Sequence, residues 1–360
     1  MKRKNESILH WVIEKIRNEY PDDVGLLIVY GSYITGNDGP LSDIDFYFVP
    51  NKESSLSLGR TFIIEGIGYD LFPLSWERLE GLASLNENLT PLLGNARIAW
   101  CQSEKDKKRF IVLRRKLADN LSDDSFMEQK TEDKLKHACD LQIKLANSNS
   151  LCDCRLLAGG VLLDLADAVA YKNRTYFHRG LKEQYTDLKR MENLPDGFIE
   201  KYEAVIRSNT IIEIKRNCMT LIMSTINCFS VNTERDNTSF RDSPSLPKTN
   251  GDPDYLMLAE LYGEIVSTFN KVYFCCENNN PILAFLSTVC LQNVLNEEVG
   301  ALRFDLLECF DMLDLSGLFK AAKAAESKLI RFISEGASIK RYKNVDEFLR
   351  DNPIKQKKHT

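Results

Sequence analysis

Two aspartates separated by one residue, Asp43 and Asp45, are the side chains of this sequence best suited to chemistry. They stand at the start of a short apolar run, and on a β-strand side chains at i and i+2 point to the same face. Burying two carboxylates side by side is costly unless a cation lies between them. Mg²⁺ prefers oxygen ligands, so the pair predicts a magnesium site. The alternative, solvated aspartates on an edge strand, is disfavoured by the apolar flanks.

Two predicted β-strands position this pair. Residues 26–30 and 44–49 are short runs rich in Ile, Val, Phe and Tyr, and turn residues bound both of them. The connection between them contains two glycines, an asparagine, an aspartate and a proline within residues 36–40, which is typical of a turn. The sequence therefore predicts two adjacent buried strands with the aspartate pair at one end of the second.

The spacing of this segment resembles a known signature. Gly31 and Ser32 are followed by ten residues and then by Asp43-x-Asp45, as in the DNA polymerase β-type nucleotidyltransferase superfamily. The Ser-Asp-Ile-Asp motif around the pair most resembles that of the small bacterial members. These are the aminoglycoside and lincosamide (kanamycin-type) nucleotidyltransferases and the minimal nucleotidyltransferases. The resemblance covers residues 20–80 well and extends more weakly to about residue 230.

The resemblance implies transfer of an NMP unit from an NTP to an acceptor oxygen, with pyrophosphate leaving. Two Mg²⁺ ions roughly 3.5–4 Å apart suit that reaction, because charge builds on both the attacking and the leaving oxygen. Asp43 and Asp45 would bridge both ions. Asp70, near the end of a third β-rich run, would complete the metal site or act as general base. Gly31 would let the backbone approach a phosphate, and Ser32, at or just before the start of a helix, would donate to it.

A loop that follows a predicted buried helix carries three cations, Lys172, Arg174 and Arg179. Closing over the triphosphate, they would balance the charge of the leaving pyrophosphate. The alternative is a helix–helix connection whose cations stabilise the end of the preceding helix. Both interpretations are open from the sequence.

Asp164 and Asp167 lie one turn apart on that preceding helix. Either carboxylate could serve as the base toward the acceptor in place of Asp70. A pair of acids on a helix surface is an equally good interpretation, so the sequence leaves the general base undecided.

The predicted fold class is α+β: a small mixed β-sheet domain with flanking helices, followed by all-helical domains. The helical region after the sheet resembles the substrate-binding domain of kanamycin-type nucleotidyltransferases and is broadly HEPN-like. The division predicted from composition is a catalytic domain at 1–118, a helical domain at 122–230, a polar linker at 231–254, a further helical unit at 255–350 and a basic tail at 351–360.

Three finer predictions depend on local pattern alone. Residues 61–71 are predicted as a third β-rich run and residues 302–313 as a helix, whereas residues 119–125 are predicted as a polar break between helices. The basic cluster at 340–343 is interpreted as part of a solvated C-terminal end.

Composition restricts the class of protein. A hydrophobic content of 43% and a charged content of 28% are globular values, and 360 residues exceed one comfortable core. The N-terminus lacks the apolar stretch of a signal peptide, and no segment approaches the roughly 20 apolar residues of a membrane span. Ten scattered cysteines without zinc-ligand spacing are typical of free thiols in a reducing compartment. We therefore expect a cytoplasmic protein without membrane contact.

The net charge of −5 indicates which kinds of partner to expect. Proteins that grip long nucleic acid usually display a basic face, so extended nucleic acid is disfavoured. The expected substrates are a magnesium-bound NTP, with ATP as the default, and a small hydroxyl-bearing acceptor, such as an antibiotic-like molecule. Transfer to a protein or RNA acceptor, or a non-catalytic, antitoxin-like binding module, are the alternatives. A homodimer or a protein partner bound through residues 255–350 stays open.

Overall fold

The computed structural model of this chain describes residues 2–35, 44–229 and 253–355. Within these residues six strands form one mixed sheet in the order β5-β1-β2-β4-β3-β6. β1 is antiparallel to both β2 and β5, and β3 is antiparallel to β4, whereas β2–β4 and β3–β6 are parallel pairs. The strands are β1 Val24–Tyr30, β2 Asp45–Pro50, β3 Arg60–Ile64, β4 Ile67–Pro73, β5 Arg97–Cys101 and β6 Arg341–Tyr342.

Helices surround the sheet and make up most of the remaining described chain. They are α1 Lys2–Glu19, α2 Ser32–Thr35, α3 Trp76–Ala83, α4 Pro91–Gly94, α5 Glu104–Ser122, α6 Asp124–Asn147, α7 Leu151–Lys172, α8 Leu181–Leu188, α9 Phe198–Arg207, α10 Ile211–Phe229, α11 Tyr255–Glu277, α12 Pro281–Val299, α13 Ser316–Ile333 and α14 Val345–Asp351. The predicted α+β class, with a mixed sheet followed by helices, is confirmed. Among the described helices, none is long and apolar enough to cross a membrane.

Both faces of the central strands are buried, because successive side chains alternate between two apolar layers. Phe46 and Phe48 of β2 point into a core with α1 and α14. Tyr47 and Val49 point to the opposite face, into a core with α3, α4 and α5. A third and larger core joins α6–α10 to α11–α13. The aspartate-bearing end of β2 is therefore held between two packed layers.

The C-terminal part of the described chain returns to the sheet. β6 pairs with the edge strand β3, and the Phe348 ring of α14 lies 4.8 Å from the Trp11 ring and stacks on Phe62 at 4.3 Å. Trp11 Nε1 also donates a hydrogen bond of 2.9 Å to the carbonyl oxygen of Asn352. Residues 341–352 are thus part of the same packed body as the N-terminal strands.

The structure refines one sequence prediction and corrects two others. Residues 61–71 are β-rich as predicted and form a hairpin, β3 and β4, because Glu65 and Gly66 both adopt positive φ angles, as a tight two-residue turn requires. Residues 302–313 contain only short 3₁₀ turns at Gly300–Leu302 and Leu306–Cys309. The predicted break at 119–125 is only one residue long, because Asp123 alone separates α5 from α6.

The basic cluster at 340–343 is also different from the prediction. Arg341 lies in β6, and its guanidinium donates a hydrogen bond of 3.0 Å to the Tyr262 hydroxyl. Most of the predicted linker, and residues 356–360 of the basic tail, lie outside the described residues.

Candidate active site

Asp45 is the first residue of β2 and pairs across the sheet with Tyr30, the last residue of β1. Gly31 follows Tyr30 with φ +73°, a left-handed conformation that glycine adopts without strain. A Cβ atom at Gly31 would lie 1.9 Å from Oδ2 of Asp45. The carboxylate therefore lies directly against the glycine, and only a residue without a side chain fits between β1 and α2.

Asp70 lies beside Asp45 because β2 and β4 are paired in parallel. Phe46 pairs with Leu71, so Asp45 and Asp70, each one residue earlier, lie at the same level of adjacent strands. Two residues further on, the rings of Tyr47 and Phe72 are 5.8 Å apart on the same face. Because strand side chains alternate, both aspartates point to that face as well.

A cavity of about 160 Å³ lies at this end of the sheet. Its lining comes from three strands and from helix α11, which contributes Gly263, Glu264 and Ser267. The lining residues are Tyr30, Ile44, Asp45, Gly68, Asp70, Gly263, Glu264 and Ser267. Both half-buried aspartates thus share one cavity with a third carboxylate, Glu264, from a helix far along the sequence.

The ionisable side chains in this lining fit the donor preference of Mg²⁺. Aside from the Tyr30 hydroxyl, the ionisable groups among the described lining residues are carboxylates, which are hard oxygen ligands. Within the described residues, however, no three His, Cys, Asp or Glu side chains are spaced to hold a metal ion. Asp43, the predicted partner of Asp45, lies outside the described residues, so the aspartate pair itself stays a prediction.

α2 begins at Ser32, as the sequence predicted. Because nothing is described of the Ser32 side chain, its predicted role toward a phosphate stays a prediction.

The three cations predicted to meet the triphosphate lie at the last residue of α7 and on the connection from α7 to α8. Lys172 Nζ is 3.9 Å from a carboxylate oxygen of Glu128, Arg174 forms an ion pair with Asp124, and Arg179 Nη1 is 3.3 Å from Oε1 of Glu183. Two of them, Lys172 and Arg174, line a separate cleft of about 320 Å³.

The same connection reaches the sheet near the aspartates. The hydroxyl of Tyr176 donates a hydrogen bond of 2.7 Å to Oδ1 of Asn95. Asn95 lies two residues before Arg97, which pairs with Val29 at the end of β1 that leads to Gly31. The connection is therefore anchored at the same end of the sheet as the aspartates, although none of the three cations lines their cavity. Their role toward an NTP stays a prediction.

Asp164 and Asp167 are buried and bound to cations of α6. Lys134 Nζ lies 3.4 Å from Asp164 Oδ1 and 2.8 Å from Asp167 Oδ2, and His137 Nδ1 is 2.5 Å from Asp164 Oδ2. Burial alone would lower the pKa of Lys134, but the two carboxylates outweigh it and raise that pKa. Burial raises the pKa of Asp167, while Lys134 opposes that rise.

These contacts bear on the candidate base. Neither Asp164 nor Asp167 is among the lining residues of the cavity that contains Asp45 and Asp70. Lys134 and His137, which pair with these carboxylates, both belong to α6, so the two aspartates form an internal ion cluster that ties α7 to α6. Asp70 is the predicted base that lies in the cavity.

Glu264 and Ser267 were missed by the sequence reasoning. They belong to α11, in the helical unit that the sequence predicts at 255–350, and this helix carries no catalytic motif. The one local signal is Gly263, a glycine inside a long helix, which indicates a close approach of another chain segment. Which segment approaches is decided only by the fold.

Comparisons with known proteins add little. Neither protein-family models nor curated protein sequences give a match to this chain. Among solved structures, it is similar to a nucleotidyltransferase-like protein from Exiguobacterium sibiricum, with 11% sequence identity over 64% of this chain and 77% of the other. The TM-score of 0.34 is too low to establish a shared fold.

Proposed function

We propose that this protein is a magnesium-dependent nucleotidyltransferase that transfers NMP, by default AMP, from an NTP to a hydroxyl of a small acceptor. The observation that carries the proposal is the placement of Asp45 and Asp70 on adjacent parallel strands, in one cavity, with Asp45 packed against Gly31 in its left-handed conformation. These are positions at which the sequence resembles the nucleotidyltransferase signature.

In the proposed reaction the acceptor oxygen forms a bond to the α-phosphorus, and the bond from that phosphorus to the bridging oxygen of the β-phosphate breaks. Pyrophosphate leaves with the electron pair, and Asp70 takes the hydroxyl proton. Mg²⁺ held by Asp43, Asp45 and Asp70 would neutralise phosphate charge and lower the pKa of the acceptor hydroxyl. Gly31 leaves room for the Asp45 carboxylate, since a Cβ atom there would lie 1.9 Å from Oδ2 of Asp45.

The cations of the α7–α8 connection complete the proposal on the donor side. Lys172, Arg174 and Arg179 are anchored by their loop at the end of the sheet where Gly31 lies, and their charge is of the right sign for pyrophosphate. Their present carboxylate partners are all exposed or half-buried, and exposed ion pairs of this kind are weak, at about 0–1 kcal/mol. A triphosphate could therefore replace those partners at little cost.

The size of the cavity favours a small acceptor. Pockets that take a drug-sized ligand measure roughly 300–1,000 Å³, so a cavity of about 160 Å³ admits only the reacting end of such a molecule.

The test is a thermal-shift panel of the four NTPs with and without Mg²⁺. A ligand that binds the folded state raises the Tm by mass action, so one NTP should raise it in a magnesium-dependent manner. Asp45→Asn should lose this shift, and Asp119→Asn, on the exposed surface of α5, should keep it. The donor identified in this way is then labelled and incubated with hydroxyl compounds, proteins and RNA, and transfer is followed by pyrophosphate release.

A magnesium-dependent shift with NMP transfer to a small hydroxyl compound would confirm the proposal. Transfer only to protein or RNA would reassign the acceptor. Absence of any magnesium-dependent shift with all four NTPs would contradict the proposal and favour a binding module.

A further inference from the structure

Helix α5 carries a charge opposite to that of the chain as a whole. Its residues Glu104–Ser122 include seven lysines and arginines and only three acidic residues, which gives the helix a net charge of +4 in a protein of net charge −5. The overall negative charge argues against a polyanionic partner, but association is governed by the charge of the surface that meets the partner. The distribution of charge over α5 therefore decides what this helix can bind.

Three of the seven cations of α5 already have partners. Lys107 and Arg109 each form an ion pair with a glutamate, at 3.4 Å and 2.9 Å. Arg114 donates hydrogen bonds of 3.0 Å and 3.5 Å to two backbone carbonyl oxygens just before β5. The other four are exposed, and within the parts of the chain that the structure describes none of their side chains forms an ion pair or a hydrogen bond. They are Lys105, Lys108, Arg115 and Lys116.

These four residues, which we call the basic strip, lie on one face of α5. At 3.6 residues per turn they fall within an arc of about 100°, and they extend over about 16 Å of the helix axis. The other side of the helix is buried, because Phe110, Leu113 and Leu117 pack into the core against the sheet. The helix is therefore held firmly, and the strip faces solvent along its length.

An aromatic ring lies beside the basic strip. The Arg109 guanidinium, next to Lys108 in sequence, lies over the half-buried ring of Trp76 at 4.4 Å from the ring centroid. The Arg109 side chain is 47% exposed, so this stack is open to solvent. Indole rings and guanidinium groups are surfaces on which nucleic-acid bases stack.

We propose that the basic strip and the Trp76–Arg109 stack form a docking surface for single-stranded RNA. The strip binds successive phosphates, and the stack binds an unpaired base without selecting its identity. The inference goes beyond the proposed nucleotidyl transfer and does not depend on it, since none of these residues lines the cavity of Asp45 and Asp70.

The composition of the surface distinguishes RNA from other anionic partners. The centres of protein–protein interfaces are depleted of lysine, whereas the strip contains three lysines around Val112, a small apolar residue that is 58% exposed. A helix that binds a membrane needs a broad apolar face to insert, and the large apolar residues of α5 are buried in the core. Lysine and arginine contacts to phosphates dominate nucleic-acid binding.

The stack favours single-stranded RNA over a duplex. Bases within a duplex are stacked on one another, whereas RNA exposes unpaired bases in its loops and ends, where aromatic and arginine side chains bind them.

The experiment measures binding of a fluorescein-labelled, unstructured RNA of about 20 nucleotides to the full-length protein by fluorescence anisotropy, at several NaCl concentrations between about 50 and 200 mM. The strip variant carries Lys108→Ala, Arg115→Ala and Lys116→Ala together. Trp76→Leu tests the stack, and thermal unfolding of each variant checks that the fold is retained. The matched control removes three exposed lysines from α6, α8 and α13: Lys136→Ala, Lys182→Ala and Lys320→Ala.

We expect the affinity of wild type to fall with salt with a logarithmic slope of about −3, since each phosphate contact to a single strand contributes about −0.7. The strip variant should bind at least about 10-fold more weakly at the lowest salt, with a slope of about −1, and the control variant should match wild type. Trp76→Leu should weaken binding at least about 5-fold at an unchanged slope, because it removes stacking and no charge.

The same titration with other anions tests the identity of the partner. Duplex RNA, single-stranded DNA of the same sequence, polyglutamate and phosphatidylserine vesicles are each added in place of the RNA. Tighter binding of any of them than of the single-stranded RNA would overturn the inference. So would absence of RNA binding at the lowest salt, equal losses in the strip and control variants, or an unchanged affinity in Trp76→Leu.

Discussion

The contact between Gly31 and Asp45 allows a sharp test of the candidate site. In Gly31→Ala the new Cβ atom would lie 1.9 Å from Asp45 Oδ2, whereas ordinary contacts begin at 3.4 Å. The carboxylate must therefore move by about 1.5 Å, and a misplacement of about 1 Å in a catalytic geometry can cost roughly 100-fold in rate. We expect kcat/KM to fall at least about 100-fold.

A matched control separates this displacement from backbone strain. Gly66 also has a left-handed φ angle, +78°, but a Cβ atom there would have no neighbour within 4 Å. Alanine in the left-handed region costs about 1–2 kcal/mol, so Gly31→Ala and Gly66→Ala should both lose that much stability. Only the variant at Gly31 should also lose activity.

The assay combines urea unfolding, which gives the free energy of unfolding, with pyrophosphate release in the presence of the donor and acceptor found by screening. Calorimetry with Mg²⁺ and a nonhydrolysable NTP analogue gives a second readout that does not require the acceptor. Full turnover in Gly31→Ala, or an equal loss of turnover in Gly66→Ala, would refute the reasoning that the glycine keeps Asp45 in place.

Three further predictions concern other parts of the molecule. Asp45→Asn should lower turnover at least about 100-fold with little loss of Tm, since a like-charge neighbour is relieved, whereas the exposed Asp119→Asn should match wild type in both measurements. The hydrogen bond to Asp164 raises the pKa of His137 above its unfolded value of about 6.5. Protonated His137 therefore stabilises the fold fully below pH about 6.5, and this stabilisation is lost as the pH rises through the higher pKa of the folded state. His137→Gln should therefore lower Tm more at pH 6 than at pH 9. The loss of stability should be no more than about 1 kcal/mol, because the ring is largely exposed. An equal loss at both pH values would contradict this prediction. Phe348→Ala should lower the free energy of unfolding by about 3–5 kcal/mol in urea unfolding, because the buried ring stacks in the core beneath the sheet, and a loss below about 1 kcal/mol would show that α14 contributes little.

The sequence was sufficient where the determining pattern is local. The apolar composition of residues 26–30 and 44–49 predicted β1 and β2 to within two residues, because a strand that buries both of its faces reads as a continuous apolar run. The glycine and the aspartates could be singled out because their residue types and spacing are unusual inside such apolar runs.

Local pattern failed where a short segment depends on its neighbours. Residues 302–313 have apolar residues at helical spacing, but their backbone is held by other contacts. Gln292 Oε1 accepts a hydrogen bond of 2.8 Å from the Leu306 amide, which is buried there. A buried amide that bonds to a side chain is not available to continue a helical ladder, and no periodicity in the sequence reveals that choice.

What the sequence by itself determined is therefore the identity of the chemical groups and the elements that carry them: Gly31 at the end of one strand, Asp45 at the start of the next, and Asp70 on a later one. The tertiary structure alone decided that α11 lies across these carboxylates and adds Glu264 to their cavity. The contact between Thr61 and Glu260 spans 199 residues of sequence. An amphipathic pattern predicts that one face of a helix is buried, but it does not predict which surface covers that face. That choice depends on shape, here on two glycines that let a helix and a hairpin approach, and such complementarity exists only once the chain is folded.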